Sequence, residues 1–564
     1  MKILQMDVDS IEYEPIEPES NIHESAEKKA VSVKDVLVLF TSVENGDNEA
    51  FASKAVKDAV DFAGKLKRGA VMLYPFAHLS SNLEEPQRAM NLFDYMVKEA
   101  GKSDLKVYHA PFGWNKRLAI AVKAHPLAEM SRSYGGDEKA AAKKAKKRGY
   151  DVSLAKKADW SRLPEGDHRT IAERQNLFSF QEVSPGMVYW HPNGYIIYDQ
   201  LMKFIRDKLD EYGYQMVATP IMADTALWHI SGHIDHYREN MFVFEAGGHE
   251  LGLKPMNCPF AMLIYKSKSR SYRDLPWRMA DFDKLYRNEI SGALSGLFRV
   301  RELTQDDAHI FMREDQAEAE LTTMLKLTHE LYSIFKLDYK AKLSTMPDSH
   351  LGDEATWEKA TDALKKALAA NKFKYEIKEK EGAFYGPKID IDVKDSMGRE
   401  WQCATIQLDY QLPQRFGLEY TGEDGKQHMP IVLHRVLYGS LERFIAIMIE
   451  HLKGKFPTWI APVQVKVIAL SDENNGYAEE VFKQLRKEHI RAELDVSNNT
   501  LQYKIRDGQL DQIPYMLILG KKEQEAKKIS VRSRSGKQQM GLDPKDFIAK
   551  LKDEITDRKN ELML

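Results

Sequence analysis

The run Tyr286-Arg-Asn-Glu-Ile-Ser-Gly-Ala-Leu-Ser-Gly-Leu-Phe-Arg-Val-Arg-Glu-Leu-Thr-Gln-Asp-Asp-Ala-His-Ile310 sets Arg287 and Arg299 either side of a glycine-containing loop. Guanidinium keeps its proton and bonds phosphate oxygens in pairs, so two such groups on paired strands could hold a triphosphate while its α-phosphorus is attacked. Glu289 could read a base edge beside them. Arg-Asn-Glu and Arg-Val-Arg taken singly read as an ordinary solvated hairpin; the whole run is harder to dismiss. Arg443 is a third candidate, because Tyr438-Gly-Ser-Leu-Glu-Arg443-Phe opens a helix whose first N–H groups are free for an anion. By itself Glu442-Arg443 reads as an intrahelical pair. Cys258, His309 and His434 offer one thiolate and two imidazoles, a donor set that suits a catalytic Zn2+ with one open position. Their spacing is far too wide for a local zinc signature, and each also reads as an ordinary buried or surface residue.

These groups need a scaffold larger than one core. At 564 residues the chain predicts three or four units, at about 150 residues per domain. It is 43% hydrophobic and 30% charged with a formal net charge of −3, so no global basic excess announces a nucleic-acid partner. The N-terminus turns acidic before a signal-peptide core could form and no apolar run is long enough for a membrane span, which predicts a cytosolic protein without a membrane partner. Only two cysteines, Cys258 and Cys403, are present, and a lone structural disulfide is not expected of such a chain. Up to about residue 135, strand-like Val36–Val43 and Ala70–Phe76 alternate with helix-like Ala50–Leu66 and Glu85–Glu99, predicting an α/β domain. Residues 136–183 read as a linker containing the basic helical run Lys139–Arg148. A mixed region with many aromatic strands spans 184–457. Short α/β units follow from 458 to 564: Val463–Leu470, Tyr477–Glu488, Arg491–Val496 and Pro514–Leu519, closed by a helix from Pro544.

Taken together, the Arg287 to His309 segment closely resembles motif 2 of the class II aminoacyl-tRNA synthetases. Its Arg-Glu-Leu-Thr-Gln-Asp-Asp-Ala-His ending is similar to that of the threonyl-tRNA synthetase family. Tyr438 to Phe444 resembles motif 3, and Tyr212-Gly-Tyr-Gln-Met-Val-Ala-Thr-Pro220 resembles motif 1, the dimer interface in the family. The resemblance implies an α/β and α+β multidomain chain, with an antiparallel-sheet core between an N-terminal editing domain and a C-terminal anticodon-binding domain. It implies ATP contacts from Arg287, Glu289, Arg299 and Arg443, and one Zn2+ per subunit on Cys258, His309 and His434. Mg2+ would accompany ATP. Gln305, Asp307, Tyr385, Gln402 and Gln407 match threonine-facing positions, and Lys388 and His233 match catalytic ones. A histidine titrating near neutrality would suit proton removal from the ribose. The implied activity is ligation of L-threonine to tRNA(Thr) by a homodimer. Loss of Arg287, Arg443, Cys258, His309 or His434 would mark a silent paralogue, and all five are present. The cysteine and two histidines argue against a prolyl or seryl synthetase.

Serine carries the same amino and hydroxyl groups as threonine, and one methyl is worth only about 1 to 3 kcal/mol, so a second, hydrolytic site is expected. Tyr74-Pro-Phe-Ala-His78, Ala110-Pro-Phe-Gly-Trp-Asn-Lys116 and His125-Pro-Leu-Ala-Glu129 resemble the archaeal editing domain related to D-aminoacyl-tRNA deacylases. His78, Lys116 and Glu129 fall on its functional positions, whereas Asn115 stands where relatives carry tyrosine. Water positioned by backbone groups, with Lys116 supplying positive charge, is the chemistry this implies. In the last domain Asn498, Glu523 and Arg532 match anticodon-contacting positions.

Overall fold

The structure, a computed structural model, describes the chain except residues 20–21, 81, 124, 126, 135–157 and 396–397. The basic run Lys139–Arg148 therefore lies outside the described residues. The chain divides into two compact units, Met1–Asp151 and Val152–Leu564.

The first unit is built on strands β1 (Lys2–Pro18), β2 (Val31–Ser42), β3 (Ala70–Pro75), β4 (Lys106–His109), β5 (Trp114–Val122) and β6 (Glu129–Ser133). Their order is β4-β3-β2-β1-β5, with β6 also pairing β1. Helices α1 (Glu49–Lys65) and α2 (Pro86–Ala100) cover one face, where Phe62, Phe93 and Met96 bury against Leu37, Leu39 and Leu73. Asn48 caps α1 by accepting the Phe51 N–H at 3.1 Å. The sequence pattern misses β1, the longest strand of the unit, because acidic residues break up its apolar face. One of them, Asp7, is fully buried, yet it accepts from Arg68 at 2.7 Å and pairs with His125 at 2.9 Å. Burial works against its charge, but these two partners hold it below the usual carboxylate range.

The second unit contains an eight-stranded sheet made from β7 (Gln215–Val217), β8 (Trp277–Asp281), β11 (Asp307–Met312), β12 (Tyr339–Ser344), β13 (Tyr375–Lys378), β14 (Lys388–Lys394), β15 (Glu400–Asp409) and β16 (Ile431–Val436). Its order is β13-β12-β14-β15-β16-β11-β8-β7. Between β8 and β11 the chain forms a separate two-stranded hairpin, β9 (Lys284–Tyr286) with β10 (Glu302–Thr304). One face of the large sheet packs under α7 (Ala317–Ile334), α8 (Glu354–Ala370) and α9 (Leu441–Leu452), burying Leu321, Met324, Ile310, Ile389, Leu433 and Ile445. Alternation then decides the other face. His309 stands directly opposite His434, His434 opposite Gln407, and Gln407 opposite Lys388, a row of polar side chains across four adjacent strands.

Helices α3 (His168–Arg174), α4 (Pro192–Glu211), α5 (His233–Tyr237) and α6 (Cys258–Lys266) surround this sheet. Beyond it, β17 (Val465–Ala469), β18 (Ala492–Asp495), β19 (Tyr515–Leu519), β20 (Ile529–Ser533) and β21 (Gln538–Leu542) form a further sheet in the order β18-β17-β19-β20-β21. The first three strands are parallel, so their C-terminal ends share one edge. Helices α10 (Asn475–Lys487), α11 (Leu501–Leu510), α12 (Lys521–Ala526) and α13 (Pro544–Thr556) complete the region. Both α11 and α12 fall where the sequence pattern predicts no element.

Candidate active site

Cys258 occupies the first turn of α6, His309 lies on β11 and His434 on β16. All three are buried, and one potential ligand atom from each lies within 4.8 Å of the other two. His434 Nε2 pairs with Asp409 at 2.8 Å, leaving Nδ1 without a partner. Both ring nitrogens of buried His309 are also without a hydrogen-bond partner. Such atoms are costly to bury unless something binds them. A thiolate and two imidazoles, one oriented by a carboxylate, are a donor set that fits Zn2+. Burial pushes the Cys258 thiol up, with Asp307 and Asp409 adding to it, and holds His309 well below its ordinary value, with His434 and Arg435 adding repulsion.

A cavity of about 350 Å³ opens beside the triad, lined by Cys258, Asp307, Tyr385, Lys388, Gln407 and His434. Tyr385 donates to Gln407 Oε1 at 2.9 Å, and Lys388 pairs with Asp390 at 2.7 Å. Asp390 also accepts from Gln402 at 2.6 Å, tying two strands of the cavity floor together. Asn257 donates to Asp307 at 3.2 Å, and burial raises the Asp307 carboxyl to about 6.

A second cavity, of about 150 Å³, is lined by Arg287, Glu289, Arg299, Gln305, Gln402 and Arg443, and Arg287, Gln305 and Gln402 border both cavities. The two arginines of the hairpin lie in its loop, just beyond the paired segments; the Arg287 N–H still donates to Arg301 O at 2.9 Å. Glu289 pairs with Arg299 at 2.9 Å. Arg443 donates to Phe298 O at 3.0 Å and Gln402 O at 2.8 Å, so both backbone carbonyls aim it. Burial lowers its proton affinity, and repulsion from Arg287 and Arg299 adds to the effect. Three guanidiniums against one carboxylate make a receptacle for a polyanion. Gly439 is required at the lip: its φ is +76° and a Cβ there would sit 2.4 Å from Cys403 O.

Several supports are invisible in the sequence. Glu442 is not an intrahelical partner of Arg443. It is buried, accepts the Thr304 N–H at 2.9 Å and the Ser440 hydroxyl at 3.0 Å, and burial raises it to about 7. Fully buried Lys254 donates to Thr219 and Asp283, each at 2.7 Å, while its carbonyl accepts the Tyr286 N–H. Asp167, His168 and Glu450 form a second buried cluster that a metal could suit. Here both ring nitrogens are engaged, Nδ1 with Glu450 at 2.9 Å and Nε2 accepting the Leu297 N–H at 3.1 Å. The cluster therefore braces the loop that carries Arg299 against α9.

His233 departs from expectation. It is buried, with Nδ1 2.8 Å from Ser231 Oγ and Nε2 3.2 Å from Met256 Sδ. Burial, reinforced by His434, holds its pKa down at about 3, so the imidazole is neutral rather than poised near pH 7. In the first unit Lys116 Nζ donates to Pro111 O at 2.8 Å and Trp114 O at 2.9 Å and lies 5.2 Å from the Tyr74 ring centroid. Burial lowers it to about 8. Phe76 links Tyr74 to His78, with ring separations of 6.5 and 5.3 Å, and Glu129 stands opposite Met6 of β1. Asn115 pairs with Glu17 across the adjacent strand. Of the three C-terminal candidates, Asn498 follows β18, Glu523 accepts from Ser530 at 2.7 Å, and Arg532 on β20 has an unpartnered buried Nε.

Residues 242–452 match the tRNA synthetase class II core domain shared by the G, H, P, S and T enzymes. Residues 1–134 match the Archaea-specific editing domain of threonyl-tRNA synthetase, and 464–554 an anticodon binding domain. The chain is 50% identical over 423 residues to a threonine–tRNA ligase of Thermotoga neapolitana, covering 74% of this chain and 66% of that protein. It is 47% identical over 442 residues to that of Caldanaerobacter subterraneus subsp. tengcongensis, covering 77% and 68%. Among solved structures, the RNA binding domain of threonyl-tRNA synthetase from Cryptosporidium parvum Iowa II is 41% identical, with a TM-score of 0.67 over 69% of this chain and 98% of that one. The chain spans 66% of the first of these ligases; with a class II core, a threonyl-type editing domain and a 47% identical relative of which it covers 68%, the chain belongs to the threonyl-tRNA synthetase family.

Proposed function

We propose that this chain ligates L-threonine to tRNA(Thr) through a threonyl-adenylate and hydrolyses serine attached in error. The observation that carries the reading is the pair of adjoining cavities, one lined by Cys258 and His434 of the donor triad and the other by three arginines, with Arg287, Gln305 and Gln402 bordering both. The threonine carboxylate attacks the α-phosphorus, a new O–P bond forms, and pyrophosphate leaves with the electrons of the broken bond. Arg287 stabilises charge at the reacting phosphate, while Arg299 and Arg443 hold the outer ones and Glu289 reads the base. Mg2+ enters with ATP.

Cys258, His309 and His434 would hold one Zn2+, whose Lewis acidity selects an amino group and a hydroxyl together, a chelate valine cannot form. Asp307 accepts a hydrogen bond from the substrate amine, and Gln305, Tyr385, Gln402 and Gln407 fix the remaining polar atoms. In the second step the ribose hydroxyl attacks the adenylate carbonyl and AMP departs. Lys388 offsets charge there, and His233 takes part as the neutral imidazole that its burial dictates. Lys116, His78 and Glu129 serve serine hydrolysis, with the Lys116 cation beside a water held by backbone groups. Residues 458–564 contact the anticodon through Asn498, Glu523 and Arg532.

A homodimer fits β7, which ends the large sheet among the described residues, with Met216 on it 45% exposed and Ile221 and Met222 beyond it each 46% exposed. No described helix is long and apolar enough to cross a membrane. Threonine-dependent exchange of pyrophosphate into ATP, run with and without a zinc chelator, tests the core. Absence of exchange with threonine would sink the reading.

A further inference from the structure

Three parallel strands of the C-terminal sheet end along one edge, where two of them and the start of α11 each leave an apolar side chain in water. Leu470 follows β17 and is 44% exposed, Val496 follows β18 and is 38% exposed, and Tyr503 in the first turn of α11 is 57% exposed. The edge is rigid. Lys504, next to Tyr503, is buried and donates to Ala469 O at 2.9 Å, pinning the start of α11 to the end of β17. Thr500 caps the same turn by accepting the Tyr503 N–H at 3.3 Å. Leu470 reaches the third strand end, since a Cβ on Gly520 would lie 2.4 Å from its Cδ1. Arg506, Lys521 and Lys522 are exposed nearby on the first turns of α11 and α12 or one turn beyond, and none forms an ion pair among the described residues. The Arg532 Nε without a partner belongs to the adjoining antiparallel strand.

An aromatic platform with an aliphatic floor and unpaired cations at its rim matches the chemistry of an unstacked nucleobase with its phosphates. A protein partner would call for a larger continuous apolar patch than these three side chains supply. We propose that Tyr503 is a base-stacking residue for single-stranded tRNA, with Leu470 and Val496 completing the floor and Arg506, Lys521 and Lys522 engaging phosphates. This rests on the reading of the chain as a tRNA ligase and adds a contact that depends on ring shape, beside the hydrogen-bonding Asn498, Glu523 and Arg532.

The test compares Tyr503→Ala and Tyr503→Phe with the parent in threonine transfer to tRNA(Thr). Loss of one stacked base raises KM for tRNA about 5- to 150-fold in Tyr503→Ala. Tyr503→Phe stays within about twofold of the parent, because stacking needs the ring and not the hydroxyl. Melting temperatures of both variants report folding, and the side chain is exposed enough that neither should fall. Tyr503→Ala with parental KM overturns the proposal. So does Tyr503→Phe as weak as Tyr503→Ala, which would assign the contact to the hydroxyl. A parent chain that transfers no threonine would instead overturn the ligase reading itself.

Discussion

Asp409→Asn changes one atom and should cost the metal site its geometry. In the parent, Asp409 Oδ1 accepts the Gln411 and Leu412 N–H groups at 2.7 and 3.0 Å, and Oδ2 faces His434 Nε2 at 2.8 Å. An asparagine must keep its oxygen toward the two N–H groups, since turning its amide round would oppose donor to donor twice, at about 1 to 3 kcal/mol for each buried group left unpaired. Its NH2 then confronts His434 Nε2, which can only accept, and the imidazole proton moves to Nδ1. That is the nitrogen otherwise free for a metal. Removing such a carboxylate partner typically weakens metal binding 10- to 100-fold, about 1.4 to 2.7 kcal/mol. The assay is retention of zinc against a graded chelator, read by metal content, with threonine-dependent pyrophosphate exchange in parallel. The KM for threonine should rise with metal loss and the KM for ATP should not. Zinc held as tightly by Asp409→Asn as by the parent would refute the tautomer argument, because no other route lets Nδ1 bind.

Gly439→Ala places a Cβ 2.4 Å from Cys403 O at a φ of +76°, so it should shift Ser440, which caps α9 by accepting the Arg443 N–H at 3.3 Å, and with it Arg443, and lower kcat/KM for ATP at least about tenfold; steady-state kinetics with an unchanged value would count against that lip. Lys116 sits at about 8 because burial disfavours its charge, so deacylation of seryl-tRNA that uses the cation should fall as pH rises through 8. Between there and the ordinary lysine value of 10.5 the unfolded chain binds more protons than the folded one, so stability rises over that window and unfolding cannot mimic the loss. Lys116→Arg should remove the high-pH decline if charge alone is needed; a parent rate that climbs above pH 8 after subtraction of spontaneous hydrolysis would mean the neutral amine acts.

What could be read in the sequence was what local spacing or a dense motif encodes. The arginines, Gln305 and Asp307 share one short run, and the C-terminal strands announced themselves by apolar segments of five or six residues. The metal triad was named only through the family resemblance and not by spacing, because its members become neighbours only when β11 pairs with β16 and α6 packs across them. Asp409 lies two residues past Gln407 on β15 and meets His434 purely through sheet register. His168 was equally silent, being separated from Glu450 by most of the core. His233 shows the opposite failure. Its position in the run was plain, but burial decides how it titrates, and burial is a property of the fold.

The division into two compact units has a consequence for inheritance. Each unit has its own buried clusters, and the residues assigned to ligation and to serine hydrolysis fall in different units. On the proposed assignment, speed and accuracy are written in separate stretches of one gene. A lineage that exchanged the first stretch would then alter how often serine enters proteins and leave the rate of threonine charging, proposed for the second, unchanged.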